Sequence, residues 1–245
     1  MSVGAHRLRR VHPGGGSGNG RTLLFEDAFT GSTINTANWD VMTRPKGYRN
    51  NELQYYAPEQ ATVSGGNLII TAEKRGDGEW YSAELNSKSP SWFNYGLFEA
   101  RIKLPMAQGI WPAFWLMGTQ DGWPDCGEVD ILEAVNNEGI VYNTLHGGGS
   151  NGHWQYEAST TSVSTTSWHV YGADIQPNVI DFYIDGTIVS TVHSSQKPSG
   201  ANWIFGAYSN FTLLNVAVGG TWPGPPNGST PNSVQMLVDY VRVYA

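Results

Sequence analysis

The sequence predicts an all-β fold in which two antiparallel sheets pack face to face. Short runs rich in β-branched and aromatic residues recur along the chain, and Gly, Pro, Asn, Asp and Ser separate them, as expected for strands joined by turns. Glycine accounts for 30 of the 245 residues, and no segment keeps a helical period. Many closely spaced strands favour a sandwich, and a chain of this length can bury one continuous core.

Residues 1–21 are predicted to be a flexible tail, left by cloning or by a trimmed pro-region. Within them, the run from Pro13 to Gly20 has no apolar side chain whose burial could offset the entropy of ordering. Residues 22–245 contain no internal repeat and no second linker, so we expect them to form one domain. The start of the sequence has no hydrophobic signal region, and we expect a secreted monomer whose signal peptide is absent from this sequence.

The clearest strand is residues 97–104. Alternate positions in it are apolar (Phe98, Ala100, Ile102, Leu104) or charged (Glu99, Arg101, Lys103). Because successive side chains of a strand point to opposite faces, this pattern predicts that one face contacts the core and the other contacts solvent.

A hairpin is predicted where residues 179–183 and 188–192 flank Asp185-Gly186, because both turn residues tolerate a positive φ. Further predicted strands cover residues 168–175, 213–218 and 237–244. These strands complete the all-β pattern, since none of them is separated from the next by a helical segment.

Charge and composition limit the partners of the chain. Charged residues make up 14% of it, against about 25% in a typical domain, and its net charge is −7. A nucleic-acid partner is not expected, because phosphate binding needs a basic stripe. No apolar run approaches the roughly 18 residues of a membrane span, so a membrane partner is not expected either. Cys126 is the single cysteine, which excludes an internal disulfide.

Three carboxylates, those of Glu128, Asp130 and Glu133, lie close together among Val, Ile and Leu. On a regular strand Glu128 and Asp130 share one face, whereas Glu133 points to the other. One extra residue between Asp130 and Glu133, a β-bulge, would turn all three side chains into one groove. Without the bulge the strand would bury an unpaired acid at a cost in stability. The pattern therefore predicts a bulged strand that carries catalytic carboxylates.

Two carboxylates on one strand can cleave an acetal if one attacks the anomeric carbon while the other protonates the departing oxygen. Retaining glycosidases hold these groups roughly 5 to 5.5 Å apart, a separation that side chains of a bulged strand can reach. Asp130 would hydrogen-bond or couple electrostatically to the nucleophile, and the nearby like charges would raise the pKa of the acid. The spacing alone leaves open which glutamate is the nucleophile.

The segment Gly127–Glu133 resembles the active-site strand of family-16 glycoside hydrolases, in the bulged form typical of laminarinases. Further segments match the family in order: 50–56 (NNELQYY), 95–101 (YGLFEAR), 109–115 (GIWPAFW), 144–147 (TLHG), 218–224 (VGGTWPG) and 238–244 (VDYVRVY). The similarity extends from about residue 23 to the end of the chain. It implies a β-jelly-roll sandwich whose concave sheet forms a sugar-binding cleft.

The resemblance also implies a role for each acid. It identifies Glu128 as the nucleophile, Glu133 as the general acid/base and Asp130 as the residue that assists the nucleophile. His146 resembles a family histidine near the leaving-group side, although a lone histidine is as often a hydrogen-bonded structural residue. This two-carboxylate mechanism needs no cofactor.

Four tryptophans, Trp111, Trp115, Trp123 and Trp222, lie in family motifs or in loops expected around the cleft. An indole there could stack on the apolar face of a pyranose, and core packing is the alternative. Trp111 and Trp115 are four residues apart and so share a strand face. Asn51 resembles an amide that hydrogen-bonds a hydroxyl group on the glycone side, unless it only satisfies its own turn.

The sequence departs from the laminarinase pattern at Glu84, where an arginine is usual. Glu84 and Asn86 share strand parity and are expected to face the cleft. A glutamate at this place is similar to the mixed-linkage glucanase branch of the family, and a carboxylate accepts hydrogen bonds where an arginine can only donate them. The alternative is that Glu84 pairs with a nearby base.

Asp239 shares strand parity with three apolar residues, so it is expected on an otherwise apolar face, where a buried acid needs a partner. Members of the family often bind a structural calcium ion through a late-strand aspartate and backbone carbonyl groups. The resemblance therefore implies Gly66 and Asp239 as possible calcium ligands. Ala28 replaces an acid that is frequent at its position in the family, which removes one further ligand.

These observations predict an endo-acting, retaining glycoside hydrolase that cleaves β-1,3-glucan, with this polysaccharide as its partner. Mixed-linkage β-1,3-1,4-glucan and β-1,3-galactan remain alternatives because of Glu84, and a transglycosylase would share the same covalent intermediate. A non-catalytic glucan-binding protein would keep the aromatic residues and dispense with the acids. The presence of all three acids argues against that last alternative.

Overall fold

The computed structural model describes residues 20–89, 91–164 and 166–245, and these form two β-sheets that pack face to face. The predicted all-β class is confirmed. Most of the predicted tail, residues 1–19, lies outside the described residues. Arg21, which the tail prediction includes, instead donates two hydrogen bonds of 2.9 and 2.7 Å to the buried carboxylate of Asp174. The predicted tail therefore extends too far at its C-terminal end.

Seventeen β-strands occur in the described part of the chain. In chain order they are β1 Leu23–Asp27, β2 Trp39–Val41, β3 Gln54–Tyr56, β4 Ala61–Ser64, β5 Asn67–Lys74, β6 Trp80–Ser82, β7 Glu84–Ser87, β8 Gly96–Lys103, β9 Ile110–Gly118, β10 Glu128–Glu133, β11 Ile140–Gly147, β12 Trp154–Ser162, β13 Trp168–Gln176, β14 Val179–Ile184, β15 Thr187–His193, β16 Asn210–Val218 and β17 Ser233–Tyr244. Two 3₁₀ helices cover Pro58–Gln60 and Ser194–Gln196. Neither helix has the length or the hydropathy that crossing a membrane requires, and no other described helix does.

The two sheets draw their strands from distant parts of the chain. One has ten strands in the order β15-β14-β13-β8-β17-β5-β6-β3, with β1 paired to β17 and β4 paired to β5. The other has seven strands in the order β12-β11-β10-β9-β16-β7-β2. Strand pairs are antiparallel as predicted, except that β3 and β6 run parallel. The chain therefore crosses repeatedly between the sheets, as a jelly roll requires.

The six strands predicted besides the bulged one are all present, with ends shifted by a few residues. The predicted hairpin is the β14–β15 pair. It turns at Asp185 and Gly186, whose φ angles are 52° and 77°. Both residues occupy the left-handed region, which is the reason that an Asp-Gly pair favours this turn.

The apolar core lies between the two sheets. Leu68 of β5 and Phe98 of β8 enter it from the ten-stranded sheet, and Phe114 of β9 and Leu132 of β10 enter it from the seven-stranded sheet. Full burial of each such side chain stabilises the fold by about 1.5–3 kcal/mol. This packing gives the opposite face of the seven-stranded sheet a rigid support.

Glu99 of β8 is not exposed, although the alternation of apolar and charged residues predicts that it contacts solvent. Glu99 is fully buried, because β8 lies between β13 and β17 in the middle of the ten-stranded sheet. The hydroxyl group of Tyr244 donates to Oε1 of Glu99 over 3.4 Å. Neighbouring strands thus cover a charged side chain that the pattern alone assigns to solvent.

Strand β17 contains an irregularity that sequence parity does not predict. Its register with β8 shifts between Val238 and Tyr240. Core-facing residues of β17 are even-numbered before the shift and odd-numbered after it. Asp239, at the shift, forms a 2.8 Å ion pair with Arg101. The prediction of an apolar face around Asp239 is therefore wrong, and a guanidinium group from the neighbouring strand is its partner.

Candidate active site

A cleft of about 910 Å³ lies on the face of the seven-stranded sheet that points away from the core. Side chains of β7, β9, β10, β11, β12 and β16 form its floor, and the loops that carry residues 44–52 and Trp222 contribute to its walls. Neighbouring strands lie about 4.8 Å apart, so six strands span roughly 24 Å. The floor is therefore long enough for several sugar units in a row.

The predicted bulge is present in β10. On β11, Asp130 lies opposite Thr144 and Glu133 lies opposite Tyr142, so three steps along β10 match two steps along β11. The extra residue also appears in the register with β9. As a result Glu128, Asp130 and Glu133 all line the cleft, while the apolar residues between them are buried.

A buried side chain holds this bulge. Asn143 of β11 donates from Nδ2 to the backbone carbonyl oxygen of Ile131 over 2.6 Å. It also accepts a hydrogen bond from Oγ of Ser159. A bulge disrupts the ladder of backbone hydrogen bonds, and a buried carbonyl group needs a replacement partner. Asn143 could not be identified from the sequence, because a strand pattern does not distinguish an amide that stabilises a bulge from one that faces solvent.

Asp130 is the most buried of the three acids. Its pKa is raised well above the ordinary value by burial, by the charge of Glu128 and by a hydrogen bond shared with Glu128. Nε2 of His146 lies 3.2 Å from its Oδ2. Trp123 donates from Nε1 to Oε2 of Glu128 over 2.6 Å. A protonated Asp130 and this indole can therefore both donate to a Glu128 carboxylate.

Glu133 has the properties of a proton donor. Burial, together with the charges of Asp130 and Glu128, raises its pKa well above the ordinary value. Two weaker influences lower it, a hydrogen bond from Trp111 and the charge of His146. Trp111 donates from Nε1 to Oε1 of Glu133 over 3.0 Å. Glu133 thus keeps its proton at a pH at which an ordinary glutamate has lost it.

Three of the four predicted sugar-binding tryptophans offer ring surface to the cleft. Trp111 and Trp222 meet edge to face with ring centroids 5.3 Å apart, and Trp222 meets Tyr142 in the same manner at 4.9 Å. Trp222 is 42% exposed and Trp123 is 53% exposed. Large exposed indoles at the rim of a cleft are suited to stacking on sugar rings.

Trp115 lies in the floor and has little free surface. It is only 7% exposed, its Nε1 donates to Oδ1 of Asn215 over 2.8 Å, and the guanidinium group of Arg49 lies 5.2 Å from its ring centroid. The expectation that Trp115 stacks on a sugar is therefore poorly supported. Its ring is covered by a cation that sequence analysis did not include.

Glu84 faces the cleft but is engaged by cations. It is fully buried and forms ion pairs with Arg49 and, over 3.6 Å, with Arg44. The alternative in which Glu84 pairs with a nearby base is therefore what the structure shows. Asn86 lines the same end of the cleft, and its Oδ1 receives no hydrogen bond from the described residues.

Asn51 is exposed and does not line the cleft, contrary to expectation. Asn50 and Glu52 line it instead. Both Asn50 and Asn51 have a positive φ, 49° and 56°, so the chain reverses locally and the parity of a regular strand does not apply. Such a double left-handed turn is compatible with the Asn-Asn pair, but the sequence does not tell which amide points inward.

The model of glycosyl hydrolases family 16 matches residues 49–242, which include the bulged strand and the cleft. The chain belongs to glycosyl hydrolases family 16.

Similar proteins agree with this family. A β-glucanase of Rhodothermus marinus is 33% identical over 242 residues, which cover 91% of this chain and 84% of the relative. The clotting factor G alpha subunit of Tachypleus tridentatus is 32% identical over 91% of this chain, and the chain spans only 34% of its length. The solved laminarinase catalytic domain of Thermotoga maritima MSB8 is 30% identical with a TM-score of 0.82, over 91% of this chain and 98% of that chain. These comparisons support a glycoside hydrolase of the endo-β-glucanase type.

A buried hydrogen-bond network beside the Arg49 side chain was not predicted from the sequence. Nε2 of Gln54 donates to Oε2 of Glu52 over 2.7 Å, and burial raises the pKa of Glu52. Asn215 donates to the hydroxyl oxygen of Tyr56 over 3.1 Å. The spacing of positions 52, 54 and 56 could have indicated a shared polar face within the NNELQYY motif.

His153 is a second omission. It lies in the loop before β12, its ring centroid is 4.6 Å from that of Trp123, and its Nε2 lies 3.0 Å from Nδ1 of His146. No strand pattern could have placed it, because a loop brings it to the cleft from seven residues beyond His146.

One group of three metal-binding side chains occurs among the described residues. Glu128, Asp130 and His146 each offer a ligand atom, and these atoms lie within 4.8 Å of one another. Such a set could accept a cation, yet it coincides with the predicted catalytic acids, whose mechanism needs none.

The predicted calcium ligands fit less well. The pairing of β17 with β5 ends with Val238 opposite Leu68, so Asp239 follows the last paired residue of β17 and Gly66 lies two residues before Leu68. However, the charge of the Asp239 carboxylate is already balanced by Arg101 at 2.8 Å. A calcium ion prefers several oxygen ligands with uncompensated negative charge. The residues present therefore do not favour calcium, and its binding stays a prediction.

Proposed function

We propose that the chain is an endo-acting, retaining β-glucanase whose preferred substrate is β-1,3-linked glucan. The observation that carries the proposal is the bulge of β10, which brings Glu128, Asp130 and Glu133 into one open cleft. Family membership supports the reaction type, and the laminarinase catalytic domain among the similar structures supports the linkage.

In the first step Glu128 attacks the anomeric carbon, and its carboxylate oxygen forms a bond to that carbon as the glycosidic bond breaks. Glu133 transfers its proton to the departing oxygen. In the second step the Glu133 carboxylate removes a proton from water, and the water oxygen attacks the anomeric carbon. Glu128 then leaves as a carboxylate, and both acids return to their starting states.

The surroundings of the two glutamates support this division of roles, which their spacing leaves open. The raised pKa of Glu133, caused mainly by burial, favours the protonated form that a general acid needs. Glu128 receives the indole N–H of Trp123 and shares a hydrogen bond with Asp130. Both contacts stabilise a carboxylate, which is the form that a nucleophile needs.

Several features support internal cleavage of a long chain. The cleft crosses six strands, and Trp123 and Trp222 are both exposed at it. Mixed-linkage glucan and galactan are the alternative substrates. Similar proteins include an endo-1,3-1,4-β-glycanase of Rhizobium meliloti and a keratan-sulfate endo-1,4-β-galactosidase of Sphingobacterium multivorum. Arg44 and Arg49, which pair with Glu84, put hydrogen-bond donors at the Glu84 end of the cleft, where laminarinases usually have an arginine. We therefore propose β-1,3-glucan as the preferred substrate.

The experiment is product analysis with purified protein on laminarin, lichenan and β-1,3-galactan. We expect rapid release of a range of oligosaccharides from laminarin and slower release from the other two. Glu128→Gln should remove turnover and retain oligosaccharide binding, whereas the control Glu26→Gln, at an ion pair with Arg242 in the ten-stranded sheet, should not change the rate. Near-normal hydrolysis by the Glu128→Gln variant would overturn the proposal.

The two remaining properties are the cellular location and the oligomeric state. We propose that the protein is secreted, because its relatives include a β-glucanase, and that it is a monomer. Size-exclusion chromatography of the purified chain tests the monomer, and a shorter elution volume than that of a 26.8 kDa globular protein would contradict it.

A further inference from the structure

Two histidine rings lie in contact at the rim of the cleft. Nδ1 of His146 is 3.0 Å from Nε2 of His153, and the rings are nearly parallel, with centroids 5.3 Å apart and planes inclined by 13°. The other ring nitrogen of His146, Nε2, is 3.2 Å from Oδ2 of Asp130. His146 therefore joins His153 to the acid beside the nucleophile.

When both imidazole rings are neutral, each has one N–H donor and one acceptor nitrogen, so two proton arrangements fit these distances. In one, His153 donates from Nε2 to His146, and His146 directs its own Nε2–H at Asp130. In the other, His146 donates from Nδ1 to His153, and its unprotonated Nε2 faces Asp130. The second arrangement requires the proton of Asp130 to lie on Oδ2.

Asp130 has only one proton to donate. Its pKa is raised by burial and by Glu128, and it shares a hydrogen bond with Glu128. Its Oδ2 is buried and makes no hydrogen bond with the described residues, so Nε2 of His146, 3.2 Å away, is placed to supply a proton there. If His146 took the proton at Oδ2, Asp130 could not donate to Glu128. In the first arrangement the N–H group of His146 lies next to Oδ2, and Asp130 keeps its own proton for Glu128.

The surroundings of His153 match the donor role. Burial and the neighbouring His146 lower its pKa, so the ring is neutral near pH 7 and carries one proton. The charged or titratable groups around the pair are Glu128, Asp130 and Glu133 of β10, with Glu157 of β12 in the same cleft wall. All of these are acids, so none competes with His153 as a donor to Nδ1 of His146.

We infer that His153 is a positioning residue that holds His146 in the Nε2–H tautomer, so that Asp130 keeps its proton for Glu128. This inference rests on the proposed function of Glu128 as the nucleophile. His153 touches neither the acids nor the reacting carbon directly, and it acts only through His146.

The test is a pair of variants with different hydrogen-bonding capacity. His153→Phe keeps an aromatic ring next to Trp123 and loses the donor, whereas His153→Gln keeps a donor N–H and loses the ring. Imidazole nitrogen NMR on ¹⁵N-labelled protein reports the tautomer of His146 without any substrate. His169, which lies 2.6 Å from Oδ2 of Asp185 on the other sheet, is the internal control.

We expect an Nε2–H tautomer of His146 in the wild type and in His153→Gln, and a mixed or Nδ1–H tautomer in His153→Phe. We expect kcat to fall about fivefold in His153→Phe, the value of about one hydrogen bond, with KM unchanged and with recovery in His153→Gln. A wild-type Nδ1–H tautomer, or an unchanged tautomer in His153→Phe, would overturn the inference. If no glucan is hydrolysed, the proposed function fails and the spectra still decide the tautomer.

Discussion

Replacing Asn143 with alanine is expected to weaken both the fold and the reaction. The Nδ2 group of Asn143 is the donor for the carbonyl oxygen of Ile131 inside the bulge, at 2.6 Å, and both residues are buried. In Asn143→Ala that carbonyl group loses its partner where water cannot replace it. The bulged conformation is then less stable relative to a regular strand, and a regular strand would turn Glu133 away from Glu128.

The magnitude follows from the burial. An unsatisfied buried carbonyl group costs about 1–3 kcal/mol in the free energy of unfolding. For a chain of this size each kcal/mol lowers Tm by roughly 2–4 °C, so a loss of about 2 kcal/mol corresponds to roughly 4–8 °C. Any fraction of molecules without the bulge is inactive, and a small displacement of Glu133 slows the rest, so we expect kcat to fall about tenfold.

Thermal unfolding and steady-state kinetics on laminarin measure the two effects. Asn67→Ala is the matched control, because Nδ2 of Asn67 also donates to a backbone carbonyl, that of Gly65, at an exposed turn. The control should change the free energy of unfolding by less than about 0.5 kcal/mol. Equal Tm shifts for the two variants, or full activity in Asn143→Ala, would refute the role of Asn143 in the bulge.

Three further predictions concern the cleft. Activity should fall as pH rises through the raised pKa of Glu133, because the acid form is lost. A raised pKa in the folded state means that the protonated form stabilises the fold, so the free energy of unfolding should fall over the same range. A rate that stays constant with rising pH until the protein unfolds would contradict this. Trp222→Ala should raise KM for laminarin about tenfold, because a stacking indole is lost. The control is Trp92→Ala, which should leave KM unchanged, because Trp92 is 39% exposed, against 42% for Trp222, and does not line the cleft. Equal KM values for the two variants would contradict the stacking role of Trp222. Glu84→Gln should raise KM and lower the free energy of unfolding by about 3 kcal/mol, since it removes the buried carboxylate that pairs with two guanidinium groups. Urea unfolding with a midpoint equal to that of the wild type would contradict this.

The bulge could be predicted because Glu128 and Glu133 cannot face one cleft on a regular strand, and one extra residue between them allows both to do so. The β14–β15 turn could be predicted for a similar reason, since Asp185 and Gly186 are residue types that accept the required φ. In both cases the information is local in the chain.

The errors arise where distant segments decide the outcome. Glu99 is buried because β13 and β17 flank its strand, and the shift in β17 moves Asp239 next to Arg101. His153 reaches the cleft through a loop, and Arg49 covers Trp115 from another loop. None of these contacts has a periodic signature, so a single sequence cannot reveal them.

The central claim is that the bulge of β10 lets Glu128 and Glu133 act on the same acetal by two successive displacements. Proton NMR during the first minutes of laminarin-oligosaccharide hydrolysis measures it most directly, by the anomeric configuration of the new reducing end. The account predicts that the β anomer forms first and that the α anomer appears only later by mutarotation. Initial formation of the α anomer would show a single displacement by water and would contradict the account.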